Sequence, residues 1–453
     1  MRKLLCTLTI LALTFAAVGG FAATRNYRYV PKTTSGRPHA NITNVKYDNY
    51  KLASLKAQNH LTPAQNMAFG RFGLKAHHAN SYVNGTGNTI PFFGSWFITG
   101  SRNSVYPFSM VGHSPSAGGT TGVNNQLIPL VTVLQTGGVT QFVFDPTVNN
   151  DPQGNDMSLI AQSPLYDATT TYTGPPAETG QYVDSHQRVS FRATAAANWH
   201  TPLNAPTSSG IVWVQTLEFN NGDWAFACCD QNGNNFPVFN INVIAANFEF
   251  ILAAEAPLNT TVPIIVTDFL TAFDPSTGGC CILGFHSAQS NTDINGPGVL
   301  VWTWGTFIAN SANNPFGGFG RSTMVLSHEI DELYNDPFVQ NGGTSVSPWV
   351  DGSVSFAQAN LETGDAIEAM NAPDVLFPVN LNTTGGAYMY TMQVVPTLEW
   401  FTRNPFNGGL YSWPNEGSLS HAPHVQGNCN SNPTWTYGQG SAGFFFCNVN
   451  TGW

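Results

Sequence analysis

Between Arg321 and Asn335 the chain sets Met324, Val325, Leu326, Ile330 and Leu333 at helical spacing and interleaves them with His328, Glu329, Asp331 and Glu332. The pattern predicts one helix over 321–335. Ser322 is placed to cap its start, and Asp336-Pro337 stops it, because proline disfavours helix at the residue before it. His328 and Glu332 lie four residues apart, so they share one face, one turn apart. Glu329 sits beside His328 on a neighbouring face. Only 9% of the chain is charged, yet three acids crowd this single turn. Like charges at such spacing are unfavourable unless a cation relieves them. That crowding favours reading the turn as a metal site.

The spacing is that of His-Glu-x-x-His zinc hydrolases, with two ligands at i and i+4 and a carboxylate beside the first to activate water. Here Glu332 stands where the second histidine would be. A catalytic zinc takes three protein ligands and keeps one open position. The third ligand is expected from Leu361–Glu368, where Glu362 or Asp365 binds directly and the other supports it. His421 and His424, spaced His-x-x-His, and His286 compete for the position. The expected cofactor is one Zn2+ per chain held by His328, Glu332, Glu362 and Asp365. One histidine with carboxylates is a hard donor set that manganese also fits. Glu329 is the expected general base, and hydrolysis of a peptide or protein substrate is the expected reaction.

Composition narrows the setting. Met1-Arg2-Lys3 precedes the apolar run Leu4 to Val18, and small residues follow at Gly19, Gly20, Ala22 and Ala23. That order reads as a secretory signal over residues 1–23, with the mature protein secreted to the extracellular space or periplasm. A net charge of −10 argues against nucleic-acid binding, which needs a basic footprint. The most apolar later run, Phe236 to Ala256, is broken by Asn240, Asn242, Asn247 and Glu249, so no membrane span is expected in the mature chain. Cys6 leaves with the signal. Cys228-Cys229, Cys280-Cys281, Cys429 and Cys447 remain, and in an exported chain they suggest disulfides. The expected pairing bridges the two doublets and joins Cys429 to Cys447.

The fold class expected is α+β: a zincin-like metallopeptidase domain over 206–453, with a mixed sheet and an active-site helix, preceded by a β-rich region over 24–205. Leu127 to Leu134, Val139 to Phe144, Gly210 to Glu218, Thr261 to Asp268, Cys281 to His286 and Val299 to Ile308 read as strands. Asp151 to Gly180 reads as a loop or linker, and Leu52 to Arg71 as helical.

The run Ser327-His328-Glu329-Ile330-Asp331-Glu332-Leu333-Tyr334-Asn335-Asp336-Pro337, then Trp349-Val350-Asp351, then Glu362-Thr363-Gly364-Asp365 resembles a group of secreted bacterial proteins described as metallopeptidases. It is also similar to plant phosphate-induced, exordium-like proteins, in which Cys280–Ser287 has a counterpart strand. The resemblance covers roughly residues 261 to 370. It implies a zincin-like domain with His328, Glu329, Glu332, Glu362 and Asp365 at the matching positions.

Other polar residues are read more plainly. Asp331 is taken as solvated, Glu368 as surface, and Asp336 as a helix end that can also hydrogen-bond a ligand histidine. His77, His78, His113, His186 and His200 are placed in polar loops without visible partners. The many aromatics are core residues first, although some could stack on an extracellular polysaccharide. That possibility supports a second reading: a non-catalytic extracellular or wall-associated binding protein on the same scaffold, with Glu332 marking lost catalysis. Glycan hydrolysis by Glu362 and Asp365 is a third.

Overall fold

The computed structural model describes residues 26–31, 88–98, 105–227, 235–275, 279–338 apart from 294, 313, 317 and 318, and then 349–350, 357–358, 361–369, 375–402, 408–419, 424–428 and 445–448. Its centre is a mixed sheet. The strands are β1 (Asn26–Tyr29), β2 (Asn124–Thr136), β3 (Ile211–Glu218), β4 (Thr261–Asp268), β5 (Gly284–Asp293) and β6 (Gly296–Phe307). Their spatial order is β1-β3-β2-β4-β6-β5. Each neighbouring pair is parallel except the hairpin β5–β6, which is antiparallel and leaves β5 at the edge. Val139–Phe144 folds back antiparallel on β2, through Gly137 and Gly138 at φ 61° and 80°. A tight hairpin favours such positive φ values, and glycine adopts them without strain.

β2, β3, β4 and β6 are buried along most of their length, as parallel strands usually are, whereas β1 at the sheet edge is exposed at all four residues. Val262, Ile264 and Val266 of β4 point into one core with Val299 and Val301 of β6. Ile265 points into the opposite core with Leu300, Trp302 and Trp304. This is the period-two alternation of a pleated strand. Three helices cover the faces: α1 (Tyr182–Ser190), α2 (Ile241–Glu255) and α3 (Met324–Asn335). Helix α2 gives Ile244, Phe248, Ile251 and Leu252 to the tryptophan-lined core. On the other face, α1 gives Tyr182, Val183 and Val189, and α3 gives Leu326, Ile330 and Leu333. The molecule is thus α+β, as expected.

The sheet joins residues from both sides of position 205. β2, which lies far earlier in sequence, is inserted between β3 and β4. The two regions expected at 24–205 and 206–453 therefore share one hydrogen-bonded sheet. The loop expected over 151–180 contains a short helix, Asp156–Ala161, capped by Asn155 through the Ser158 amide. The apolar run at 236–256 divides into a strand and α2, whose start is capped by Asn240. Among the described residues no helix is long and apolar enough to cross a membrane. Cys281 is buried and disulfide-bonded. Cys6, Cys228, Cys229 and Cys429 lie outside the described residues, as do residues 1–23, 52–71, His77, His78 and His421.

Two strands and one short helix complete the surroundings of α3. β7 (Leu376–Thr383) and β8 (Gly386–Gln393) form a hairpin. Helix α4 (Thr363–Ala369) carries Asp365 in its first turn. Helix α3 begins at Met324, later than expected. Ser322 stands at φ 53° rather than capping, and Thr323 precedes the helix without a side-chain bond to it. Its end at Asp336 is where the proline requires it.

Candidate metal centre

Every residue of α3 is buried. A helix covered all round is ordinarily apolar all round, yet this one carries His328, Glu329, Asp331 and Glu332 at 0–1% exposure. Groups of that kind persist inside a protein only when paired, hydrogen-bonded or coordinating.

Three glycines let the surrounding elements close on these side chains. Gly284 of β5 and Gly305 of β6 are direct partners across the hairpin. A Cβ at Gly284 would lie 2.7 Å from Glu329 Cγ and 2.8 Å from Val325 Cγ1, and one at Gly305 would lie 2.7 Å from Leu326 Cδ2. The pair forms the seat on which α3 rests. A Cβ at Gly364 would run into the His328 ring, so α4 can approach that imidazole only with glycine there.

The hairpin then points His286 at α3. His286 Nδ1 lies 3.6 Å from Glu332 Oε2, 3.9 Å from Glu329 Oε2 and 4.0 Å from Glu362 Oε2. From within α3, His328 Nε2 lies 3.2 Å from Glu332 Oε1, 3.9 Å from Glu329 Oε1 and 3.6 Å from Asp365 Oδ1. Neither oxygen of Glu329, nor Oε2 of Glu332, makes a hydrogen bond. Glu332 Oε1 accepts from the Asp365 amide at 3.0 Å.

Both imidazoles are fixed from behind. His328 Nδ1 lies 2.6 Å from Gln393 Oε1. The Gln393 amide nitrogen is itself donating to Gly364 O at 2.9 Å. Its oxygen is therefore the acceptor, and the His328 proton sits on Nδ1. His286 Nε2 contacts the carbonyl of Asp336 at 3.2 Å, and a carbonyl can only accept. Each histidine thus turns its other nitrogen toward the carboxylates, the tautomer and orientation that metal-binding histidines need.

The acids pull one another's affinities apart. Burial pushes Glu329 above the usual carboxylate range, and Glu332 adds to that push against the two histidines. Burial, Glu332, Asp365 and Asp336 raise Glu362 strongly. Glu332 is held far below the range: burial opposes this, but His328 and His286 outweigh it. Burial alone would lower His286, but Glu362, Glu329 and Glu332 overcome it and raise the ring.

All five expected residues, His328, Glu329, Glu332, Glu362 and Asp365, meet here. His286, one of three competing sources for a further ligand, joins them. The side chain of His424 lies outside the described residues, like His421. Asp331 overturns the reading as solvated: it is fully buried, accepting from Thr363 Oγ1 at 2.6 Å and paired with His186 Nδ1 at 2.7 Å. Asp336 is buried too, and its backbone rather than its side chain orients His286. His186, His113 and His200 all have partners. His186 lies on α1 against Asp331. His113 bonds the Gly118 carbonyl at 2.6 Å, and His200 bonds Asp184 at 2.8 Å. Sequence reasoning missed Gln393, a lone glutamine at a strand end with no motif around it.

Within the cluster the greatest exposure is that of His286 at 8% and Glu362 at 7%. Comparison of the chain with family models, with curated proteins and with solved structures found no match.

Proposed function

We propose that the chain is a secreted, metal-dependent hydrolase on a zincin-like scaffold, with peptide bonds as the first substrate class. One observation carries the reading. Two buried histidines, each with its outer nitrogen fixed by a neutral acceptor, face four carboxylates across gaps of 3.2–4.0 Å. Hydrogen-bonded ion pairs close to about 2.7–2.9 Å. Ligands around one ion held at about 2.0–2.1 Å stand roughly 3–3.4 Å apart at neighbouring positions, by the geometry of that radius. The 3.2 Å His328–Glu332 gap falls in that range, and the other five, at 3.6–4.0 Å, are too wide for direct pairing.

His328, Glu332, Glu362, Asp365 and His286 would hold the ion, with zinc the first choice of metal. When bound, a divalent ion supplies the Lewis acidity that polarises a carbonyl and makes water acidic near neutral pH. Glu329 is the general base: its carboxylate takes the proton from the attacking water and passes it to the leaving amine. β5 is paired on one side only among the described strands and carries His286. An extended peptide adding to that edge would pass its backbone beside the cluster.

The depth of the site supports a second reading, in which the ion is structural and the protein binds an extracellular partner. Two measurements separate them. Elemental analysis of wild type and His328→Ala should find bound metal in the first and its loss in the second; no metal in either would sink both readings. Glu329→Gln should keep the metal and lose on the order of 10²–10⁴-fold in peptide hydrolysis. A wild type that holds metal but hydrolyses nothing leaves the binding protein.

A further inference from the structure

The ligand atoms do not converge on one point. They form two sets that share one residue. His286, Glu332 and Glu362 make the first, and His328, Glu329 and Glu332 make the second. Glu332 divides its carboxylate between them: Oε2 faces His286 at 3.6 Å and Oε1 faces His328 at 3.2 Å. Glu329 repeats the division, with Oε2 and Oε1 each 3.9 Å from one histidine. Each set has its own outlying acid, Glu362 at 4.0 Å from His286 and Asp365 at 3.6 Å from His328. The arrangement is close to symmetrical about the α3 carboxylates, with one imidazole, one terminal acid and one half of each shared glutamate on either side.

Charge points the same way. Glu329, Glu332, Glu362 and Asp365 bring four carboxylates into a space where each is at most 7% exposed. One divalent cation would balance two of four ionised carboxylates and leave the others to be neutralised by protons, in a poorly solvated interior where bare charge is costly. Two would balance all four.

We propose that this cluster is a carboxylate-bridged centre for two divalent cations, one bound by His286 and Glu362, the other by His328 and Asp365, with Glu332 bridging and Glu329 between them. The inference rests on the reading of the cluster as a metal centre and changes its stoichiometry. Two divalent ions held by these residues would supply Lewis acidity to both the attacking and the departing atom of a displacement.

The test uses the full mature chain, stripped with a chelator and reloaded with Mn2+ alone, then with Zn2+ alone. Metal per chain is measured after gel filtration, and the Mn2+-loaded protein is examined by electron paramagnetic resonance. The expected results are two equivalents of either metal and an exchange-coupled manganese spectrum. Glu362→Gln and Asp365→Asn should each keep one equivalent and convert the spectrum to that of isolated ions. A single equivalent in wild type would overturn the two-ion centre while leaving the metal site standing, and none would overturn both. Two equivalents with an uncoupled spectrum would place the second ion elsewhere and also overturn the proposal. The wild-type spectrum decides the question even if either variant fails to fold.

Discussion

α3 buries two kinds of histidine–carboxylate contact within one turn of each other. On one side, Asp331 meets His186 at 2.7 Å, with Thr363 and Asn335 donating to the same carboxylate. On the other, Glu329 and Glu332 stand 3.2–3.9 Å from His286 and His328 and leave three of their four oxygens without a hydrogen bond. Composition and burial are the same on both sides. What differs is closure. The first contact is satisfied by its own neighbours, so it needs nothing further. The second holds its acids apart by backing both imidazoles onto Gln393 and Asp336 and by removing side chains at Gly284 and Gly364. Under the proposed reading, that spacing is what leaves room for a cation.

The difference can be broken at either end. The largest effect should come from the closed pair. Asp331→Ala strands His186 and the Thr363 hydroxyl inside the core and should cost about 3–5 kcal/mol, the scale for removing one partner of a buried pair. Urea denaturation would measure it, and the loss should be the same with and without a chelator. A loss seen only in the presence of metal would mean that Asp331 belongs functionally to the open cluster. Next is Gly364→Ala. Its methyl group displaces the His328 ring, at about 1–3 kcal/mol for overpacking, and should remove bound metal as well. Metal retained at full stoichiometry would show that the ring is not a ligand. Smaller still, and opposite in sign, Glu329→Gln should stabilise the chelated protein by on the order of 1 kcal/mol, because it replaces an unsatisfied buried carboxylate with a neutral amide. Destabilisation would show that the open side is held by protonated histidines rather than by a cation.

The contrast also marks where sequence reading stops. The strands at 127–134, 139–144, 211–218 and 261–268 were legible because each is a short β-branched or aromatic run between turn residues. The site helix was legible because its apolar positions recur at helical spacing before Asp336-Pro337. Its clustered acids were legible from the His328–Glu332 interval taken together with the flanking strands, the Glu362–Asp365 cluster and the crowding of acids on a sparsely charged chain. Asp331 was not. On a helix with polar residues on several faces, spacing cannot tell a solvated acid from one met by another element, and His186 arrives from more than a hundred residues away. Gln393 carries no local signature either, since its role exists only where β8 ends against α3. The joining of residues before and after 205 is equally non-local: β2 pairs with β3 and β4 across long connections that no local pattern reports.

A third group of acids extends the comparison and should give the smallest effect. Asp268, at the end of β4, lies near Asp145 and Asp151, and its carboxyl is pushed up to about 7 by burial first and then by the Asp145 and Asp151 charges. Asp156 is raised as well, by burial and by Asp268, although Asn150 donates to both of its oxygens at 3.2 Å. The groups acting most strongly on the two acids are neighbouring carboxylates and, for Asp156, Asn150, so here the relief is a proton. The sign follows from the raised affinity. Between the ordinary carboxylate range and about pH 7 the folded state binds more protons than the unfolded chain, so stability falls as pH rises through that window and levels off above it. Asp268→Asn should flatten the fall, raising the melting temperature at pH 8 and leaving it unchanged at pH 4. The gain should be modest, because Asp268 is partly exposed and Asp156 can take up the proton in its place. A stability profile with the same slope in the variant would show that this group is already relieved by other means, and that burying neighbouring acids is less costly here than at the α3 cluster.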